Sequence, residues 1–91
     1  AFFMVYVYVL ESRSDGARYT GMSLDVINRL KEHNIGRNRY TKAHVPWEII
    51  YCSEAFHSWE EGRKHEKYLK TAAGRKWLDK LHGGNRGSLP A

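Results

Sequence analysis

From Phe2 to Leu10 the chain is an almost unbroken run of aromatic, β-branched and other apolar residues, and Asp15-Gly16 follows five positions later. Side chains alternate faces along a strand, so a run that is apolar at both odd and even positions has to be covered on both sides. That predicts an inner strand. Asp-Gly is a strong two-residue hairpin signal, and a return strand is expected over residues 17–21. With Ser14 facing Ala17 across the turn, facing positions sum to an odd number. Even-numbered side chains of the first strand then share a face with odd-numbered ones of the second. Tyr8 and Tyr19 are thereby placed together, and a loop with an odd number of residues would part them.

The rest of the pattern reads helix, loop, strand, helix. Ser23 is expected as the N-cap of a helix from about Leu24 to Asn34, with Gly36 as its stop. Leu24, Ile27 and Leu30 mark its buried stripe, while Val26, Arg29 and His33 stand on a bordering flank that could look into a cleft. Residues 34–46 hold Gly36, Arg37, Arg39, Tyr40, Lys42 and His44 without periodicity, which reads as a long basic loop. Val45-Pro46 introduces a third strand from Trp47 to about Ser53, and Ser58 with Glu61 forms a capping box that opens a second long helix.

On a helical wheel Trp59, Gly62, Glu66, Leu69 and Ala73 fall in one arc, so Glu66 projects from an otherwise apolar face, with room beside it at Gly62. A carboxylate there needs a partner, which Arg63 or Lys70 could supply at helical spacing, or a metal ion. A break near Gly74 leads to a short last helix with Trp77, Leu78 and Leu81. Residues 1–82 are expected as one α/β (α+β) domain, a small, mainly antiparallel three-stranded sheet flanked by helices. Residues 83–91, beginning at Gly83-Gly84, are expected as a flexible tail.

Composition narrows the partners. A 91-residue chain has core enough for one domain. Fifteen Lys and Arg against ten Asp and Glu, a net charge of +5, favour an anionic partner, with a polyphosphate first. Arg37, Arg39, Lys42 and Lys70 are the candidate phosphate contacts. Such charges position nucleic acid without identifying bases. The single Cys52 excludes an internal disulfide and a Cys-rich zinc site, and its apolar neighbours suggest a buried thiol in a reducing, cytoplasmic setting. The apolar start is too short to span a bilayer and lacks a basic leading region or cleavage site, so no membrane association is expected. His57, His65 and His82 show no ligand-like grouping. No seam for a homodimer stands out, and a protein partner is left open.

Two triplets carry a resemblance. Tyr6-Val7-Tyr8 ends in tyrosine, Tyr19-Thr20-Gly21 begins with tyrosine and ends in glycine, eleven positions separate Tyr8 from Tyr19, and Arg29 follows ten after Tyr19. The chain resembles the GIY-YIG nuclease superfamily over roughly Val5 to Leu81. It is similar to the small stand-alone type, with Glu32-His33-Asn34 after Arg29, and more distantly to the N-terminal catalytic domain of the excision-repair incision subunit. It departs from that subunit at Met22, where the relative carries lysine. In the segment Glu66-Lys67-Tyr68-Leu69-Lys70, Glu66 matches the family's acidic metal ligand.

The resemblance implies a metal-dependent endonuclease that hydrolyses DNA phosphodiester bonds, with a place in DNA repair or processing. Water would attack phosphorus in line while charge gathers on the phosphate oxygens and on the leaving 3′ oxygen. Glu66 would hold one Mg²⁺ or Mn²⁺, and Arg29 would donate to the non-bridging oxygens. Tyr19 or His33 would take the proton from water, and Tyr8 would orient the water or the base. A free tyrosine, at a pKa of about 10, would need a large shift for that task, and a histidine would not. The alternative is a nucleic-acid-binding module of the same fold that is catalytically weak or inactive.

Overall fold

The computed structural model describes residues 3–83. Its elements run β1 (Tyr6–Ser12), β2 (Arg18–Ser23), α1 (Val26–Asn34), α2 (Arg39–Lys42), β3 (Trp47–Cys52), α3 (Trp59–Leu69) and α4 (Ala72–Leu78), closed by a π-helical turn at Asp79–Gly83. The sheet is antiparallel with the order β2-β1-β3, so the apolar β1 is the inner strand and the fold is the expected α+β type. Val7 and Val9 pack with Leu69 and Leu78 of α3 and α4, while Tyr8 and Leu10 pack on the other face with Val26 and Trp47.

The hairpin is wider than its Asp-Gly pair suggests. Tyr8 faces Gly21, where a two-residue loop would have set it opposite Ser23, and Ser12 N–H donates to Ala17 C=O at 2.8 Å. The loop is therefore the four residues 13–16. Ser12 Oγ accepts from the backbone N–H groups of Ser14 and Asp15, Asp15 Oδ1 accepts from Ala17 N–H, and Gly16 supplies a φ of 78°. Side-chain hydrogen bonds to nearby backbone favour such a loop over the tight turn. Four is still even, so Tyr8 and Tyr19 keep a common face.

Helix α1 is capped by Asp25, whose Oδ1 accepts from Asn28 N–H at 3.0 Å, and not by Ser23, which ends β2 and accepts from Asp25 N–H through Oγ. Its buried face is also corrected. Val26 and His33 are buried, whereas Leu24 and Ile27 are 56 % and 60 % exposed. Two stripes competed, and the one offering His33 a partner beneath it turned inward. The expected basic loop contains α2, where Asn38 Oδ1 accepts from Thr41 N–H at 3.0 Å.

A register shift in the pairing of β1 with β3 sends Ile49 to the α1 side but both Ile50 and Tyr51 to the α3 side, as a bulge does. Cys52, at the end of this edge strand, is exposed rather than buried. Ser58 caps α3 as expected. Gly62, however, makes room for the sheet and not for Glu66, since a Cβ there would meet Met22 Cε at 2.7 Å. Of the expected inward arc, Gly62 and Leu69 are buried, while Trp59 and Ala73 are exposed. The break falls at Lys70-Thr71, and Gly74 lies inside α4. A Cβ at Gly74 would stand 1.9 Å from the Tyr68 carbonyl oxygen, so only glycine lets α4 fold back on the end of α3. Gly83 ends the π-helical turn, and the rest of the expected tail, residues 84–91, lies outside the described residues. Among the described residues no helix is long and apolar enough to cross a membrane.

Candidate active site

Gly21 faces Tyr8 across the hairpin, and a Cβ there would lie 2.7 Å from the Tyr8 phenol oxygen. The bare glycine lets the ring lie over β2. Oη thereby reaches His33 Nε2 of α1 at 3.0 Å, with the Arg29 guanidinium also beside it. His33 Nδ1 in turn lies 2.9 Å from Thr41 Oγ1 of α2. Tyr8 is 1 % exposed, and His33 and Thr41 are fully buried.

Proton positions in this chain follow from donor counting. The Thr41 hydroxyl donates to Asn38 C=O at 3.4 Å, so its oxygen accepts from His33 Nδ1–H, and Nε2 is left to accept from Tyr8 O–H. The electrostatics agree. Burial, and next the neighbouring Tyr19, push the Tyr8 phenol up to about 12 against the opposing pull of Arg29. Burial, followed by Arg29, holds His33 below the usual imidazole range. A protonated phenol therefore meets a neutral imidazole at neutral pH. His33 offers neither ring nitrogen to solvent.

Arg29 Nη1 donates to Glu32 Oε1 at 2.8 Å, a pairing that raises the guanidinium pKa and steadies it, while the side chain stays 36 % exposed. It thus links the buried phenol to the surface. The half-buried Tyr19 ring sits 4.8 Å from that of His33 and 6.3 Å from that of Tyr8. Beyond it opens a cleft of about 390 Å³ bounded by Arg18, Tyr19, Thr20, Tyr40, Lys70 and Arg75. Glu66, 17 % exposed, pairs with Lys70 Nζ at 3.4 Å and is close enough for its charge to act on Tyr8.

Tyr8, Tyr19, Arg29 and His33 are brought together, Glu66 reaches the same neighbourhood from α3, and Lys70 lines the cleft. Arg37, Arg39 and Lys42 are exposed on or just before α2, outside that lining. Thr41 carries no expectation from the sequence, and Tyr40 enters it only as a member of the basic loop. The spacing Asn38-x-x-Thr41 was the available signal, since an asparagine followed by a backbone N–H three residues on is a helix N-cap. Arg18 and Arg75 carried none, because the cleft wall they share joins β2 to α4.

One carboxylate at Glu66, with waters and phosphate oxygens filling other positions, suits a hard divalent cation such as Mg²⁺ or Mn²⁺. Among the described residues no group of three or more His, Cys, Asp or Glu could cage an ion.

Two phenols, a steadied guanidinium and a carboxylate beside a basic cleft form a site suited to phosphate chemistry, on a three-stranded α+β scaffold. The model of the GIY-YIG catalytic domain matches residues 4–79, and the chain belongs to that nuclease family. It is 47 % identical over 66 residues to a UPF0213 protein of Streptococcus agalactiae serotype V, covering 71 % of this chain and 73 % of that one. A UPF0213 protein of Halalkalibacterium halodurans is 39 % identical over 82 residues, 87 % of this chain and 85 % of its own. The solution NMR structure of the UPF0213 protein BH0048 from Bacillus halodurans superposes with a TM-score of 0.53 at 35 % identity, over 90 % of this chain and 88 % of that one.

Proposed function

We propose that this chain is a divalent-metal-dependent endonuclease that hydrolyses DNA phosphodiester bonds in DNA repair or processing. The observation that carries the reading is the sealed Tyr8–His33 pair with Arg29 at its surface and Tyr19 at the edge of a basic cleft. Buried polar groups held in one protonation state give a site whose geometry is set before substrate arrives.

Arg29 would present its guanidinium fork to the non-bridging oxygens of the scissile phosphate, already oriented by Glu32. Tyr19, the phenol that borders the cleft, would act as the base in its phenolate form, reached with Arg29 and a bound cation beside it, and would so receive the proton of the attacking water. Tyr8, 1 % exposed and with its own proton directed into His33 Nε2, would orient that base and Arg29 from behind, out of contact with the water. His33 acts behind Tyr8, out of contact with water. A divalent cation at Glu66 would supply charge compensation for the phosphate and the departing oxygen. Lys70, 3.4 Å from Glu66, balances the carboxylate until substrate is bound. Arg37, Arg39 and Lys42 would hold the flanking backbone by charge.

Plasmid nicking and cleavage of labelled DNA, with Mg²⁺, Mn²⁺ or EDTA, test this beside Glu66→Ala and Arg29→Ala. Metal-dependent cutting that disappears in both folded variants is expected. Undiminished cutting by the variants, or binding without cutting by the wild type, would reject it and favour a binding module.

A further inference from the structure

We propose that the cleft beyond Tyr19 is a subsite for one unpaired nucleotide of a DNA strand, flanking the scissile phosphate; this rests on the nuclease reading above and specifies its substrate. Tyr40 is the first observation. Its ring is 50 % exposed yet held on two sides, stacked at 28° on Tyr19 with centroids 6.4 Å apart and set against His44 at 4.7 Å. Thr41 beside it is fully buried, and its backbone N–H is tied to Asn38 Oδ1. An exposed aromatic ring that is already immobilised offers a base a stacking surface at little ordering cost.

Cleft chemistry is the second observation. Arg18, Lys70 and Arg75 stand on its walls, and Val9, Leu69 and Leu78 lie at its base. Arg18 is fixed by Glu11 at 3.4 Å and by Asp79 at 2.9 Å, and Lys70 is drawn to Glu66 at 3.4 Å. Cations thus surround an aromatic and aliphatic recess, which matches a phosphate attached to an apolar ring. With Arg18 and Lys70 shared with acidic neighbours, the cleft suits the single charge of one phosphodiester better than a polyphosphate.

Size is the third. About 390 Å³ lies near the lower end of small-ligand clefts. A base still paired in a duplex brings its partner strand with it and cannot enter such a recess; it has to be unpaired or flipped out. Tyr19 belongs to both the cleft wall and the reacting centre, so the nucleotide held there is an immediate neighbour of the phosphate being cut.

Fluorescence anisotropy in EDTA, with the full chain and labelled oligonucleotides of one sequence, tests the subsite without cleavage. The strand is offered single, as a blunt duplex, and single with one abasic position moved along it. Tighter binding of the single strand than of the duplex is expected, with one abasic position costing more than the others. Tyr40→Ala should weaken single-strand binding about fivefold to about 150-fold, the range for one lost stacking contact. Tyr40→Phe should bind like wild type, and neither change should alter duplex binding. Equal affinity for duplex and single strand, no loss in Tyr40→Ala, or an equal loss on both substrates would overturn the subsite. Cleavage of the same oligonucleotides with Mg²⁺ separates the two readings. Cutting without preference for unpaired DNA removes the subsite and keeps the nuclease, whereas selective binding that no metal converts to cutting removes the nuclease.

Discussion

The phenol oxygen of Tyr8 lies 3.0 Å from His33 Nε2, and the residue that sets the direction of this hydrogen bond is Thr41, on the far side of the imidazole. Replacing Thr41 with valine keeps the shape and removes the oxygen. His33 Nδ1–H would then be buried without a partner, a loss of about 1–3 kcal/mol in stability. The ring could also take the opposite tautomer and turn an N–H on Tyr8. Thr41→Val is therefore expected to lower kcat at least tenfold with little change in KM, while Thr41→Ser retains most activity. A kcat unchanged in Thr41→Val would remove the positioning role.

The buried imidazole makes stability depend on pH. His33 has its folded pKa lowered by burial and by Arg29, so the unfolded chain binds the proton more readily near its ordinary value of 6.5. Stability is full above that value and falls as pH drops through it toward the lower folded pKa. His65, lowered by burial, acts in the same direction. Asp15, held down to about 2 by Ala17 N–H first and then by His44, contributes stability that is full above its ordinary 3.8 and is lost only as pH falls below it, outside this window. Thermal unfolding between pH 7.5 and 5 should thus show a falling midpoint, and His33→Gln should flatten part of that fall.

Gly21→Ala tests the path of the Tyr8 ring. Its methyl would begin 2.7 Å from Oη and 2.8 Å from the carbon that bears it, so the phenol has to move. Overpacking of this kind costs about 1–3 kcal/mol. Activity should drop by far more than stability, and the ring shift can be read from the NMR signals of Tyr8 and His33.

Gly74→Ala is expected to be the more damaging glycine change. Its methyl meets backbone, with the Tyr68 carbonyl oxygen at 1.9 Å and Leu69 Cα at 2.7 Å, and no side-chain rotation relieves it. Urea unfolding should show a loss above about 3 kcal/mol, at the severe end for a single substitution. A loss under 1 kcal/mol would mean that α4 is free to shift.

The inward face of α1 can be checked by charge. Ile27→Lys places a cation at a position that is 60 % exposed and should change stability by no more than about 0.5 kcal/mol. Val26→Ala, by contrast, empties a buried site and should cost on the order of 2 kcal/mol. The reverse ranking would restore the stripe of Leu24, Ile27 and Leu30.

The sequence alone determined the inner strand, the shared face of Tyr8 and Tyr19, the second long helix with its Ser58 cap, and the residues that mark the family. Each is a local property, written in the alternation of one strand, the spacing of one helix or the parity of one loop. The four-residue hairpin kept that parity although the Asp-Gly pair suggested two. Only the tertiary structure decided which stripe of α1 turned inward, because Leu24-Ile27-Leu30 and Val26-Leu30-His33 are both helical in period. The choice depends on Tyr8 and Thr41, which approach from β1 and α2. Nor could spacing place Tyr40 or Arg75 at the cleft, where they meet residues of β2 that are distant in the chain. Gly74 is the same case, since its need for a missing side chain exists only once α4 has folded back against Tyr68.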